Sequence, residues 1–187
     1  MHYEEEIIEG KDFSKKRFLG DSFFAVEFKN CDFTNAKLDD VDLEECIFYN
    51  CNISMTSFTA ARFKGVRFEG CKIQGVNFEK VSALFFDSEF EGNTIRYSYF
   101  VDNNLRGVTF KENTLEECTF EGCNVSGVKL EKCNLRGSTF DRCDLRKTKF
   151  IKCEDIGIDI VRNRVEGMEV PTYEGENLLR FFGIKLK

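Results

Sequence analysis

The feature that most constrains this chain is a period of five. From Ile8 to Phe78 every fifth residue is Phe, Leu or Ile, and from Phe85 to Phe150 every fifth residue is Phe, Leu, Ile or Val. Between the two series, across residues 79–84, the phase slips by two. Of the 21 phenylalanines, 17 sit on this one central position. Two residues before it lies a second register of small side chains, such as Val26, Cys31, Ala36, Val41 and Cys46, and later Cys118, Cys123, Val128 and Cys133. All 9 cysteines fall in that slot, and 10 of the 14 glycines lie two residues after the central position.

Such a period matches neither a helix of 3.6 residues per turn nor a strand alternating every two. It fits a chain that turns a corner every five residues, with the central and slot residues inward and the other three outward. Glycine after the centre suits a corner that needs positive φ. Four sides close a coil of 20 residues, and stacked coils pair through their backbones at about 4.8 Å. Phe28, Phe48 and Phe68 then form one column, and Phe100, Phe120 and Phe140 another. In such an array each coil is stabilised by its neighbours alone.

The ends depart from the pattern. The first slot residues are Glu6, Lys11, Lys16 and Asp21, which a tight dry wall does not hold. Residues 1–22 are therefore expected to form an irregular opening coil, with Glu4, Glu5 and Glu6 guarding its edge against further strands. Residues 23–170 form the repeat body, which frays after Cys153, where Asp155 occupies a central position. Beyond Pro171, residues 171–187 read as a short helical cap ending at Gly183. Its apolar residues Leu178, Leu179, Phe181, Phe182, Ile184 and Leu186 are the candidate dimer interface.

Little in the chain suggests catalysis. The single histidine, His2, sits near the start, which argues against a histidine-based triad, and the glycines follow the five-residue spacing rather than a phosphate loop. The cysteines stand where Val, Ala, Ser and Thr stand elsewhere, so they read as small buried side chains rather than metal ligands. No enzyme activity, cofactor or metal is expected. With no apolar run near the roughly 18–20 residues that cross a bilayer, and no basic and apolar leader, the expectation is a soluble cytoplasmic protein without a membrane role.

Stretches such as Cys133-Asn134-Leu135-Arg136-Gly137 and Cys143-Asp144-Leu145-Arg146-Lys147 resemble the pentapeptide-repeat family, with consensus A(D/N)LXX, over roughly residues 8–155. The resemblance implies an all-β solenoid, a right-handed quadrilateral β-helix. The ending, from Gly157-Ile158-Asp159-Ile160 through Asn163 and Glu166 to Gly183-Ile184, is similar in layout to the family's quinolone-resistance (Qnr, MfpA) and microcin and albicidin immunity proteins. Those relatives bind DNA gyrase, shield it from poisons, dimerise through their C-termini and in several cases imitate duplex DNA. The resemblance thus implies DNA gyrase or a related type II topoisomerase as partner, a homodimer, and no direct contact with nucleic acid. The alternative is a scaffold or regulatory module with an unrelated protein partner.

Net charge is −6, and the deficit lies early, since residues 1–60 carry 13 acidic and 6 basic side chains. Asp39, Asp40, Asp42, Glu44 and Glu45 form the densest acidic cluster, with Asp87, Glu89 and Glu91 next. These eight are the candidate partner-binding surface. Arg62 and Lys64 are expected one coil above Asp42 and Glu44, so cross-coil ion pairing competes with that reading. About eight coils would make a rod of roughly 40 Å, whose length of duplex DNA carries on the order of twenty phosphates. Imitation of DNA would therefore be partial.

Overall fold

A computed structural model describes residues 1–82, 86–180 and 183–184. The chain winds into a four-sided parallel solenoid. The first face is centred on Tyr3, Phe23, Leu43 and Phe63, and the second on Ile8, Phe28, Phe48 and Phe68. The third and fourth follow with Phe13, Phe33, Ile53 and Ile73, and with Phe18, Leu38, Phe58 and Phe78. Neighbouring coils pair 20 residues apart, as in Phe23↔Leu43 and Phe28↔Phe48.

Central and slot positions are buried together. Phe28, Phe48, Phe68, Phe90 and Phe110 form one continuous stack at centroid separations of 4.9–5.2 Å. Phe78, Phe100, Phe120 and Phe140 form a second at 4.6–4.8 Å. Each such pair adds about 0.5–1.5 kcal/mol beyond area burial. The column expected for Phe100, Phe120 and Phe140 is this second stack.

Positive φ recurs two residues after almost every centre, and most of those corners are not glycine: Ala25, Asn50, Met55, Ala60 and Glu112 all adopt φ between 50° and 59°. Gly70 is a case where glycine is required twice over, by its φ of 63° and because a Cβ there would collide with the Asn50 side-chain oxygen.

Two kinds of corner share this shape. In closed corners the slot N–H folds back onto the preceding central carbonyl, as Ala36 does to Phe33 at 2.8 Å and Val128 to Val125 at 3.0 Å. The residue before the centre is then usually Asp or Asn, whose side chain accepts a backbone N–H two residues on. Asp32 holds Thr34 this way at 2.8 Å, and Asn134 holds Arg136 at 3.0 Å. In open corners that fold-back is missing; where strands pair through the centre, the ladder N–H of the next coil reaches the central carbonyl, and at many of them a slot side chain of that coil donates to it as well. Cys51 donates to Phe28, Cys71 to Phe48 and Cys123 to Phe100 at 3.1–3.3 Å, while Asn93 donates to Phe68 and Asn113 to Phe90 at 2.8 Å. Every cysteine of the chain is buried and makes such a bond. Burial pushes the Cys46 and Cys118 thiols up to about 11, so they remain S–H donors near neutrality. The slot cysteines are thus more than apolar filler: each gives a buried carbonyl an additional donor from the next coil.

Three local departures from the sequence expectation have physical causes. Residues 1–22 are regular rather than irregular: His2–Glu4 pairs with Ser22–Phe24, and Ile7–Glu9 with Glu27–Lys29. The charged slot residues Glu6, Lys11 and Lys16 are accommodated by turning out to solvent, where no described coil lies beneath. At the two-residue slip, pairing jumps to 22 residues (Phe68↔Phe90, Ile73↔Ile95), and Phe86, not Phe85, stands opposite Phe63. Phe85 lies outside the described residues, as do positions 83 and 84 of the slip. Among the described residues the buried Ser88 Oγ and Asn103 Oδ1, both in the coil above the slip, have no hydrogen-bond partner.

After Cys153, Asp155 is not inward. It takes a corner φ of 58°, Ile156 and Ile158 fill the interior, and Ile158 pairs with Phe140. The short helix Gly175–Arg180 follows the turn Thr172–Glu174. Glu174, 5% exposed, accepts the N–H groups of Asp155 (3.2 Å) and Ile156 (3.0 Å), and Tyr173 donates to the Cys153 carbonyl at 2.9 Å.

Candidate interaction surface

The outward positions of each face form columns that run along the rod, so a surface patch is set by residues 20 apart. On the first face, Asp42 lies beside Arg62 and Glu44 beside Lys64 in exact register. Arg62 donates to both Asp42 oxygens, with Nη2 to Oδ2 at 2.8 Å, and the Lys64 ammonium is 3.2 Å from Glu44. The Arg62 hydrogen bond holds the Asp42 carboxyl below its ordinary range. These four side chains, with His2, Ser22 and Phe24, line a shallow trough of about 460 Å³.

The remaining candidate carboxylates fall in different surroundings. Asp39, on the fourth face, accepts from Ser57 Oγ at 2.5 Å and from the Thr59 N–H at 3.2 Å. Asp40, at the corner between fourth and first faces, is 3.6 Å from the Arg62 guanidinium. Glu91, on the second face, pairs with Lys111 at 2.5 Å, which raises the lysine pKa. Glu45, Asp87 and Glu89 have no ion pair among the described residues. Glu45 and Asp87 stand on the edge between the first and second faces, two coils apart, or about 10 Å at the usual strand spacing. Glu89 adjoins that edge on the second face, opposite Arg67. The cluster read from sequence therefore divides into a neutralised half, at Asp42, Glu44 and Glu91, and an unneutralised edge.

Of the candidate dimer residues, Leu178 packs against the core, Leu179 is half-buried and accepts the Ile184 N–H through its carbonyl at 3.3 Å, and Ile184 is 46% exposed. Phe181, Phe182 and Leu186 lie outside the described residues. Sequence reasoning missed Tyr173 and Glu174, which attach this segment to the last coils. A buried glutamate with backbone partners leaves no periodic signal, because its position is set by where the repeat stops. Among the described residues no group of three His, Cys, Asp or Glu side chains is placed to hold a metal ion.

A profile described as a pentapeptide repeat region matches residues 21–100 and 98–169. Among solved structures, a trypsin-treated form of QnrB1, a plasmid-mediated fluoroquinolone resistance protein, is 21% identical over 100% of both chains, with a TM-score of 0.45. HetL, a pentapeptide repeat protein involved in heterocyst differentiation regulation from the cyanobacterium Nostoc sp. strain PCC 7120, is 12% identical over 89% of this chain and 86% of its own, with a TM-score of 0.36. No curated protein sequence matches the chain.

Proposed function

Because this chain belongs to the pentapeptide-repeat family, we propose that it acts by contact rather than catalysis, binding DNA gyrase or a related type II topoisomerase and protecting it from inhibitors. The observation that carries the reading is the unneutralised acidic edge of Glu45, Asp87 and Glu89, held on a wall whose every coil is backbone-paired to the next. Fixed carboxylates on a rigid rod suit a partner surface built to receive the DNA backbone, and electrostatic complementarity governs on-rate and specificity. Asp42 and Glu44 contribute less, because Arg62 and Lys64 already compensate them. The resemblance of the C-terminal layout to the gyrase-protecting members supports the same partner and a homodimer through Leu178, Leu179 and Ile184. We place the protein in the cytoplasm on the same grounds.

The test is a gyrase supercoiling assay with and without a fluoroquinolone. Rescue of supercoiling is expected at low protein, and its loss on combining Glu45→Lys, Asp87→Lys and Glu89→Lys, while Asp42→Asn retains it. An absence of any effect on gyrase, with or without inhibitor, would sink the topoisomerase reading and direct the search to unrelated protein partners.

A further inference from the structure

Among the described residues the first coil is saturated above and open below. Its upward groups are used: the N–H groups of Glu5, Gly10, Lys15 and Gly20 donate to the coil above, and the carbonyls of Glu6, Lys11 and Lys16 accept from it. The second coil shows which groups face the other way, since Glu27, Asp32 and Lys37 donate downward through their N–H groups. The equivalent N–H groups of Ile7, Asp12 and Arg17, with the carbonyls of Glu4, Glu9, Ser14 and Leu19, have no backbone partner among the described residues. Apolar surface accompanies this edge. Ile7 is 62% and Leu19 69% exposed, and Tyr3, Ile8 and Phe13 are half-buried.

Charge on this base is divided along a diagonal. Glu4, Glu5, Glu6 and Glu9 occupy the first two faces and the corner between them. Lys15, Lys16 and Arg17 occupy the third and fourth faces and their corner, with Lys11 at the boundary. The Lys16 ammonium sits 4.9 Å from the Phe13 ring and 4.6 Å from that of Phe18. Two acidic residues interrupt the basic side: Asp21 pairs with the Met1 ammonium at 2.5 Å, whereas Asp12, which accepts the Ser14 N–H at 2.8 Å, keeps its charge.

We propose that this base is an interface for a second copy of the chain, docked base to base about a two-fold axis running through the Gly10 and Gly20 corners. That operation lays first face on fourth and second on third. It brings the Glu5–Glu6 corner of each copy onto the Lys15–Lys16 corner of the other, and the strands meet antiparallel, so the open N–H and carbonyl groups gain partners. Tyr3 then faces Phe18, and Ile8 faces Phe13. A self-complementary patch is what a two-fold interface requires. Other occupants fit less well. A strand of single sign meets like charge over half of the rim. A head-to-tail copy would need an open upper edge, which Tyr173 and Glu174 occupy. The charges that repel foreign strands therefore admit the rod's own image. The contact is independent of which protein the outer faces bind.

Sedimentation velocity of the full chain tests this at low and high salt, alongside the double variants Glu5→Lys/Glu6→Lys and Lys15→Glu/Lys16→Glu. Each substitution lies on an exposed side chain, and circular dichroism checks that the fold is kept. At low salt the wild-type mean mass should be about twofold or more above that of either variant, falling with added salt. An equal mixture of the two variants should regain the wild-type mass. Zero-length carboxyl-to-amine cross-linking should join the Glu5–Glu6 peptide to the Lys15–Lys16 peptide, which one chain cannot do across opposite corners of its own coil. A C-terminal contact persists in both variants, so the comparison reads the base alone. Equal mass for wild type and variants at every concentration, or a mixture that stays at the variant mass, overturns the proposal.

Discussion

The corner after Phe33 and the corner after Phe28 have the same backbone shape and different chemistry. At the first, Ala36 closes onto the Phe33 carbonyl and Asp32 braces the turn, with Thr56 of the next coil donating to the same carbonyl at 2.8 Å. At the second, the Phe28 carbonyl takes its donors from the next coil, through the strand ladder and the Cys51 thiol. Closed corners therefore satisfy the central carbonyl partly within the turn, whereas open corners take its donors from the neighbouring coil. The array's nearest-neighbour coupling is carried by polar slot side chains as well as by the phenylalanine stacks. The preference for Cys in the slot belongs to the open corners, whereas Asn serves both kinds, since Asn103 donates to the closed Phe78 carbonyl at 3.1 Å.

The sharpest way to break this difference is at Asn113. It donates to the Phe90 carbonyl at 2.8 Å, and its oxygen accepts the Asn93 N–H at 2.9 Å and the Asn93 side-chain amide at 3.0 Å. Asn113→Leu removes all three bonds and strands the buried Asn93 N–H, while the Phe90 carbonyl keeps its ladder partner and the Asn93 amide its bond to Phe68. A loss of roughly 2–5 kcal/mol in urea unfolding is expected, from about 1–3 kcal/mol for the stranded N–H and about 0.5–1.5 kcal/mol for each other bond lost. A loss below about 1 kcal/mol would show that open corners are not polar bridges between coils.

Cysteine gives the intermediate case. Cys123→Val preserves size but removes the thiol donor 3.1 Å from the Phe100 carbonyl, leaving that oxygen its strand-ladder partner. The expected cost is about 0.5–1.5 kcal/mol, with Cys123→Ser recovering most of it because a hydroxyl can make the same bond. At the closed slot, Val108→Cys should stay within about 1 kcal/mol, since the Val108 N–H already serves the Leu105 carbonyl at 2.9 Å. Equal costs at Cys123 and Val108 would reduce the cysteines to filler.

Alkali probes the same bonds without mutation. The Cys46 and Cys118 thiols are raised by burial to about 11 from 9.0. A folded-state value above the unfolded one favours folding fully below about 9, and that contribution is lost as pH climbs through about 11. The urea midpoint should therefore fall between pH 8 and 10.5. It should fall less in Cys118→Ser, whose hydroxyl does not titrate in that window. A midpoint that is flat over this range in the wild type would contradict the thiol assignment.

Much of this architecture was legible in the sequence, because the period of five fixes which residues are inward, and a column 20 residues long then follows by counting. The pairing of Asp42 with Arg62 and of Glu44 with Lys64 follows from the same count. Corner type was legible too, but only with the structure as key. Asp or Asn precedes the centre at most closed corners, as at Asp32, Asn52, Asn124 and Asp144. Thr, Ile or a charged residue other than Asp precedes it at most open corners bridged by a slot donor, as at Ile47, Glu89, Thr119 and Lys129. Slot size alone hides this, since Val, Ala, Cys and Ser occupy similar volume. Asp155 and Ile156 were misplaced because a count of five cannot register a corner that arrives early. The acidic surface was only half legible: Glu45, Asp87 and Glu89 emerge as an edge once the slip is placed, and a two-residue insertion moves every column above it.

The smallest expected effect is also the one that isolates backbone from side-chain chemistry. Ala25 follows an open corner and Ala60 a closed one, with φ of 50° and 59°. The left-handed conformation costs a residue with a Cβ roughly 1–2 kcal/mol. Replacing alanine by glycine removes that strain but adds about 0.5–1 kcal/mol of unfolded-state entropy. Ala25→Gly and Ala60→Gly should each therefore stabilise the chain by roughly 0.5–1 kcal/mol. Because neither substitution touches a slot donor or a central carbonyl, the two gains should agree with each other. A gain at one corner and a loss at the other would locate the difference between open and closed corners in the backbone itself, and would remove the slot side chain as its cause.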